Sequence, residues 1–477
     1  MERKAIILLL AIVAFIPHNT ALRPDIMECR NLVTAREIVQ DGSWLVPTMN
    51  GALRLEKPPL PTWIAAAVES VCPDSLAMQR VPPALAAMLW LLFLYLIVKR
   101  LTDDTTAQVT ALVFLTCYQV VLMGRTATWD VYCHAFMTGA LFYLLRGLQR
   151  PADERAVWGD FAWAGLFMGL SFLSKGPVSF FALLLPFVIA APLVSGVSLR
   201  GKWGALLLAV VLCIALGGWW YAYLYIAHPA ELASVFHQET GAWADRNVRP
   251  WWYYWRFFLE AGVWHPFVLT ALAYPLWRRR LAQPRAYTFF LALLVAQLVL
   301  LSLMPEKKYR YLLPLMPAMA ALTALVLTHR HRAGSPWPRR LLLFTVGAAA
   351  LIEVALLPLA GRIFGGDQLN SLALLQHDER AANLPLYHPA TQELRIESVY
   401  AAHRRIAPLD VADSASLRRA LPCIVLVHPG DTATRALLAR AARPTPLGLY
   451  DDNHHPPTDK HHNPTMVWEA VRVETGE

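Results

Sequence analysis

"MQRVPPALAAMLWLLFLYLIVKR", residues 78–100, decides the fold class. Residues 78–98 form a window of about 20 mostly apolar residues, the length at which a helix rising 1.5 Å per residue crosses a hydrocarbon core of ~30 Å. Lys99 and Arg100 end it abruptly. Outward from this stretch, comparable windows lie near 4–22, 107–124, 131–149, 158–174, 177–194, 204–227, 256–277, 286–304, 311–328 and 341–360, which makes about eleven spans. Composition agrees. The 477-residue chain is 56% hydrophobic and only 16% charged, where a soluble globular protein carries ~25%. Its net charge of +9 is then loop charge facing the cytoplasm and anionic lipid rather than a nucleic-acid footprint.

The first window follows Met1-Glu2-Arg3-Lys4, resembles a signal n-region and is interrupted by Pro17. No small-residue cleavage site follows, so it reads as an anchor. With the N-terminus cytoplasmic, the inner loops hold Lys99-Arg100, Arg146 with Arg150 and Arg155, Arg200 with Lys202, Arg278-Arg279-Arg280 with Arg285, and Arg330, Arg332, Arg339 and Arg340. Each of these loops is basic, as the positive-inside rule requires. The outer side then carries segment 23–77, "GRTATWD" (124–130), "SKGP" (174–177), loop 228–255, "PEKKYR" (305–310) and the tail after 360. Lys57, Arg125, Lys175, Lys307, Lys308 and Arg310 break the rule on that side. Ionisable groups near a bilayer have partners or a task, and these point to something anionic.

The expected architecture is a polytopic α-helical membrane protein, residues 1–360, with a small C-terminal α/β soluble domain at 361–477. "CIVLVHPG" (423–430) reads as a strand and a turn, with helix-like stretches at 414–420 and 432–442. "DDNHHPPTDKHHNP" (451–464) reads as a solvated loop, because nothing in its spacing converges the histidines on a metal. In "DIMECRNLVTAREIVQDGSW" (25–44), Leu32, Ala35, Ile38 and Val39 recur at helical spacing. This predicts an amphipathic helix along the membrane surface. Asp25 and Glu28 share one face near its start, where a carboxylate serves as a helix cap, a general base or an anchor for a substrate amine or metal. Asp130 has two readings, a helix cap and a group that orients an acceptor. Trp251-Trp252-Tyr253-Tyr254-Trp255 read as an interfacial belt before a sugar platform. Cys29 and Cys72 share the exported segment, which allows a disulfide. "RLEKPPLPTW" (54–63) sets Glu56-Lys57 before Pro58-Pro59, a rigid loop presenting a charge pair.

"AREIVQDGSWLVPTMNGALRLEKPPLPTW", followed by "GRTATWD", "FLSKGP" and "EKKYRYLLPLMP" in that order, resembles the aminoarabinose-transferase (ArnT) type of lipid-linked-sugar glycosyltransferases, relatives of the protein O-mannosyltransferases. The resemblance covers roughly residues 1–330. It implies a C-type glycosyltransferase fold and inverting transfer of a sugar from polyprenyl phosphate to a lipid or glycan acceptor. It also implies a bacterial inner membrane, with the active site and C-terminal domain facing the periplasm, and a lipid A type of modification. On matching positions it implies Lys57, Lys175 and Arg310 around the leaving phosphate, with Lys307 and Arg125 in support. Asp25 or Glu28 would be the base, Asp130 a further acidic group, and Arg30, Glu56 and Tyr309 would support them. An ungapped register puts the family's first-loop catalytic Asp on Met27, which leaves Asp25 and Glu28 both open. The reading needs no cofactor or metal ligand set, without excluding a divalent ion. It names membrane lipids, the polyprenyl-phosphate sugar and the acceptor as partners, and no nucleic acid. The competing class is a transporter or flippase for an anionic lipid; repeated halves and mid-span charges would mark it, and the sequence shows neither.

Overall fold

The apolar windows fold as helices in the computed structural model, which describes residues 2–245, 247–364, 370–381, 383–453 and 455–475. Six helices have the length and apolarity of a span: Leu76–Leu101, Ala156–Lys175, Trp203–Ala227, Pro284–Leu303, Tyr309–Arg332 and Trp337–Leu359. The number becomes eight if two bent pairs each count as one span, Asp104–Leu115 with Tyr118–Gly124 (70°) and Trp251–Ala271 with Tyr274–Arg280 (83°). Three of the eleven windows fall outside this set for local reasons. The first helix stops at Phe15, since Pro17 supplies no backbone N–H and biases the residue before it out of the helical region. Window 177–194 gives one helical run, Phe180–Leu193, that is too short for a span and changes from π to α to 3-10 winding along its length, with Pro186 and Pro192 in the later parts. Trp129–Gln149 is one continuous helix, but Asp130, His134 and Arg146 dilute its apolarity.

The chain forms two compact units. One contains Met1–Asn19, Leu55–Pro61 and Arg80–Ala355, and the other Thr20–Arg54, Thr62–Gln79 and Leu356–Glu477. Most of the segment read as the outer loop of the membrane domain therefore folds with the C-terminal residues, while "LEKPPLP" goes with the helical unit. Inside the helical unit, Ala156–Lys175 and Trp203–Ala227 pack backbone to backbone. A Cβ on Gly165 would lie 2.4 Å from the Ala209 carbonyl oxygen, and one on Gly169 would lie 2.8 Å from Leu216 Cβ. Small residues four apart open this route for helices in lipid, where dispersion and not hydrophobicity drives association.

The second unit is built on a five-stranded sheet. Its strands follow a hairpin of β1 (Thr48–Met49) and β2 (Ala52–Leu53), and are β3 (Leu386–Pro389), β4 (Ile406–Leu409), β5 (Cys423–Val427), β6 (Arg443–Asp451) and β7 (Val467–Glu474). The order is β4-β3-β5-β7-β6, with β3 parallel to β4 and β5, and β7 antiparallel to β5 and β6. β5 is the predicted "CIVLV" strand, buried on both faces. Ile424 and Leu426 join Trp468 and Ala470 in one core, and Cys423, Val425 and Val427 join Leu417 and Leu438 in the other, as alternation requires.

The helix Ile26–Asp41 corrects the amphipathic expectation. Residues 31–38 are buried without a break, more than two full turns, so no face is left for a membrane surface. Val33 belongs to the same core as Leu372, Val399 and Trp468. Buried polar positions are satisfied by side chains distant in sequence. Thr62 donates to Asn31 at 2.7 Å, Arg36 pairs with Asp74 at 2.8 Å, and Thr48 donates to Glu37 at 2.6 Å. The helix ends at Gly42, whose φ of +69° closes it in the left-handed region. Neither Cys29 nor Cys72 is in a disulfide, and the Cys29 Sγ faces the Pro24 carbonyl at 3.7 Å. The disulfide expectation is overturned.

Candidate functional site

Three stretches separated in sequence supply the charged cluster of the helical unit. Trp129–Gln149 starts two residues before "GRTATWD" would have ended as a loop, so Asp130 lies in its first turn. Thr128 occupies the cap position, and the cap reading of Asp130 is corrected. Ala156–Lys175 ends at Lys175 because Gly176 adopts φ +67°. Lys175 Nζ pairs with Asp130, both side chains being over nine-tenths buried. The third stretch, 306–311, carries Glu306, Lys308, Arg310 and Tyr311. Lys308 pairs with Glu306 at 2.6 Å and the Tyr311 hydroxyl donates to Glu306 at 3.0 Å. The Tyr311 ring lies between two ammonium groups, 5.9 Å from Lys175 Nζ and 5.8 Å from Lys308 Nζ. Arg310 is half-buried with its Nε lacking a hydrogen-bond partner, and its charge acts on Asp130.

Sequence reasoning missed three residues here. His134 follows Asp130 by one turn, is 1% exposed, and leaves its Nδ1 unpaired. Tyr254 belongs to the predicted aromatic belt, but is fully buried and accepts the Lys308 backbone N–H at 2.9 Å, bracing segment 306–311. Trp251, Trp252 and Trp255 remain exposed, in keeping with a belt. Gln119 donates to the Tyr309 carbonyl at 2.8 Å. Polar residues at helical spacing in apolar stretches, as His134 and Gln119 are, were the available signal.

Other predicted residues are placed differently. Arg125 donates to the Ala14 and Pro17 carbonyls at 2.7 Å each and pairs with Glu353 at 2.5 Å. Its guanidinium closes the C-terminal end of helix Glu2–Phe15, a structural duty that leaves little for a phosphate. Lys307 donates to the Met304 carbonyl, so its ammonium is spent on the end of helix Pro284–Leu303. Lys57 is half-buried ahead of buried Pro58 and Pro59, and the buried Oε2 of Glu56 accepts no hydrogen bond. Asp25 and Glu28 belong to the other unit. Asp25 caps Ile26–Asp41, its Oδ1 accepting from the N–H groups of Met27 at 2.9 Å and Glu28 at 2.8 Å. Glu28 is fully buried, and Arg30 is half-buried with an unpaired Nε. Among the described residues, no group of three or more His, Cys, Asp or Glu is arranged to hold a metal ion.

The structure of ArnT from Cupriavidus metallidurans bound to undecaprenyl phosphate superposes on this chain with a TM-score of 0.71 and 17% identity, covering 100% of this chain and 98% of that one. The chain has an ArnT-like, C-type glycosyltransferase fold. The Archaeoglobus fulgidus oligosaccharyltransferase AglB, in complex with an inhibitory peptide and a dolichol-phosphate, shares the ArnT-like fold at a TM-score of 0.52 and 13% identity, covering 86% of this chain and 64% of that one. Residues 56–221 match the dolichyl-phosphate-mannose-protein mannosyltransferase family. An undecaprenyl phosphate-alpha-4-amino-4-deoxy-L-arabinose arabinosyl transferase of Pseudomonas fluorescens is 26% identical over 74% of the chain and 60% of its own length. The Edwardsiella ictaluri protein of that name is 26% identical over 67% of the chain and 58% of its own length. The ArnT-like chain thus spans about 60% or less of the curated relatives it matches first.

Proposed function

We propose that the chain is an inverting glycosyltransferase of the bacterial inner membrane, moving a sugar from polyprenyl phosphate to a lipid or glycan acceptor on the periplasmic side. The observation that carries it is the buried Lys175–Asp130 pair, with the Tyr311 ring 5.9 Å from Lys175 Nζ and the half-buried Arg310, from a separate segment, acting electrostatically on the same carboxylate. In the transfer, an acceptor hydroxyl attacks the anomeric carbon, the bond from that carbon to the phosphate oxygen breaks, and polyprenyl phosphate leaves with the electron pair. Lys175, Arg310 and Lys57 stabilise the charge growing on the phosphate, an effect a low-dielectric setting magnifies. Asp130 orients Lys175. Asp25 or Glu28 takes the acceptor's proton, a role worth ~10²–10⁴-fold. The reading routes no step through a metal.

The arabinosyl transferases that the chain resembles make undecaprenyl-phosphate aminoarabinose the first donor to try; lipid A, which the sequence resemblance implies, is the first acceptor to try. Purified protein in nanodiscs, given radiolabelled donor and acceptor lipids, is expected to move label into the acceptor and to lose this on Arg310→Ala. Label that crosses the bilayer still attached to polyprenyl phosphate, with none reaching an acceptor, would support the flippase instead.

A further inference from the structure

The motif Ala35-Arg36-Glu37 is unused by the chemistry above, and both its charges are buried, Arg36 at 6% and Glu37 at 2% exposure. Each is held by the stretch 400–406, which leads into β4. Arg405 donates to Glu37 Oε2 at 2.9 Å and also to Asp41, one turn on in the same helix. The same Glu37 oxygen accepts from the Gly51 N–H at 3.1 Å. Arg36 donates to the Tyr400 carbonyl at 3.4 Å and lies 5.6 Å over its ring, while Asp74 joins Arg36 and His403, the latter at 2.7 Å. Asn50 completes the grip. With Gly51 it forms the tip of the β1–β2 hairpin, both at positive φ. Its amide exchanges two hydrogen bonds of 2.9 Å with the backbone of Ile406, on the outermost strand of the sheet.

We infer that Arg405 is a positioning residue for Asp25 and Glu28. A helix is a stiff rod, so fixing its last two turns at Arg36, Glu37 and Asp41 fixes where its first turn points. A single guanidinium nitrogen of Arg405, Nη2, serves both carboxylates, which stand one turn apart on the same helix. The inference rests on the proposed transfer only in taking the first turn as the acceptor-activating end. The phosphate-binding lysines belong to the other unit, so loosening this helix weakens proton removal and leaves donor binding alone.

The test uses the full chain in detergent, with Arg405→Ala, Arg405→Lys and Asn50→Gly; glycine keeps the positive φ and removes only the amide. Hydrogen exchange over residues 26–41 is expected to speed up about tenfold in Arg405→Ala. Turnover falls about tenfold with KM for the polyprenyl-phosphate sugar within about twofold, and Arg405→Lys lies between. If Arg405→Ala does not fold, Asn50→Gly is expected to show the same split at smaller amplitude. Unchanged exchange, or a raised donor KM at unchanged turnover, overturns the inference. Exchange needs no turnover, so a wild-type protein that transfers no sugar would sink the proposed function while this test still decides the grip.

Discussion

Lys175 shows what a single residue in this fold has to balance. A lysine waiting for a phosphate could be removed without harm to folding, but this one neutralises Asp130 at a site where both side chains are more than nine-tenths buried. Removing one member of a buried pair leaves the other charge uncompensated, at ~3–5 kcal/mol. Lys175→Met is therefore expected to lower the thermal midpoint as well as activity. Lys175→Met with Asp130→Asn should recover most of the stability and none of the transfer; recovery of transfer would remove Lys175 from the chemistry. Asp452, in the sheet unit, gives a pH prediction. Burial pushes its carboxyl up to about 6, although Ser371 and the Leu372 N–H donate to it. Since an unfolded Asp titrates near ~3.9, the folded state holds the extra proton between these values. Its contribution is thus full below ~4 and is lost as pH rises through about 6. Asp452→Asn should remove that fall, leaving the variant ahead of wild type by up to ~3 kcal/mol at pH 7 and level with it at pH 4; parallel melting curves at both pH values would refute it. Lys175, Asp130 and Arg310 were legible in the sequence because charge is conspicuous among apolar residues. The duties of Arg125 and Lys307 were not, since their acceptors are helix-end carbonyls that no side-chain pattern announces.

Among the elements, the helix that delivers Lys175 depends on size rather than hydropathy. Gly165 and Gly159 lie in the same helix, Ala156–Lys175. A Cβ at Gly165 would come within 2.7 Å of the Ala209 Cα, and one at Gly159 would meet nothing within 4 Å. Backbone cannot yield as a side chain can, so Gly165→Ala is expected to cost ~1–3 kcal/mol and to displace Lys175. Gly159→Ala should gain ~0.5–1 kcal/mol from helix propensity. Thermal unfolding of the two variants in one detergent checks both; equal midpoints would mean that the helices do not approach as described. A hydropathy window is blind to this contact, because glycine and alanine weigh little in it. Hydropathy did reveal the long helices and the doubly buried β5. It misjudged Ile26–Asp41, whose polar residues are satisfied by Thr48, Asp74, Tyr400 and Arg405, partners that come from other segments. The reading also passed over Asn50-Gly51, the pair that a two-residue hairpin turn demands.

For the whole molecule, the open quantity is orientation: an even set of six or eight spans would put both ends of the chain on one side, and an odd total such as the eleven windows of the sequence would put them on opposite sides. Positive-inside counting concerns lysines and arginines in short loops beside the spans. Arg278, Arg279 and Arg280 are all exposed at the end of one such helix, and so are Arg330, Arg332, Arg339 and Arg340 around another turn. The cations that the sequence reading assigns to the outer side are of another kind. Arg125, Lys175 and Lys308 are each engaged by Glu353, Asp130 and Glu306, and two of the three are almost wholly buried. Paired charges inside a folded unit hold structure together, whereas exposed clusters beside a span meet anionic lipid on the cytoplasmic leaflet. The N-terminus is thus expected inside; with Trp129–Gln149 and the shorter apolar helices Lys4–Phe15 and Phe180–Leu193 also counted as crossings, eleven in all, residues 361–477 are expected outside, in the periplasm. Two reporters fused after residue 477 check this, a phosphatase active only after export and a fluorescent protein that matures only in the cytoplasm. Phosphatase activity without fluorescence is the expected result. Fluorescence without phosphatase activity would overturn the expected placement of residues 361–477 and, with it, the periplasmic setting proposed for them.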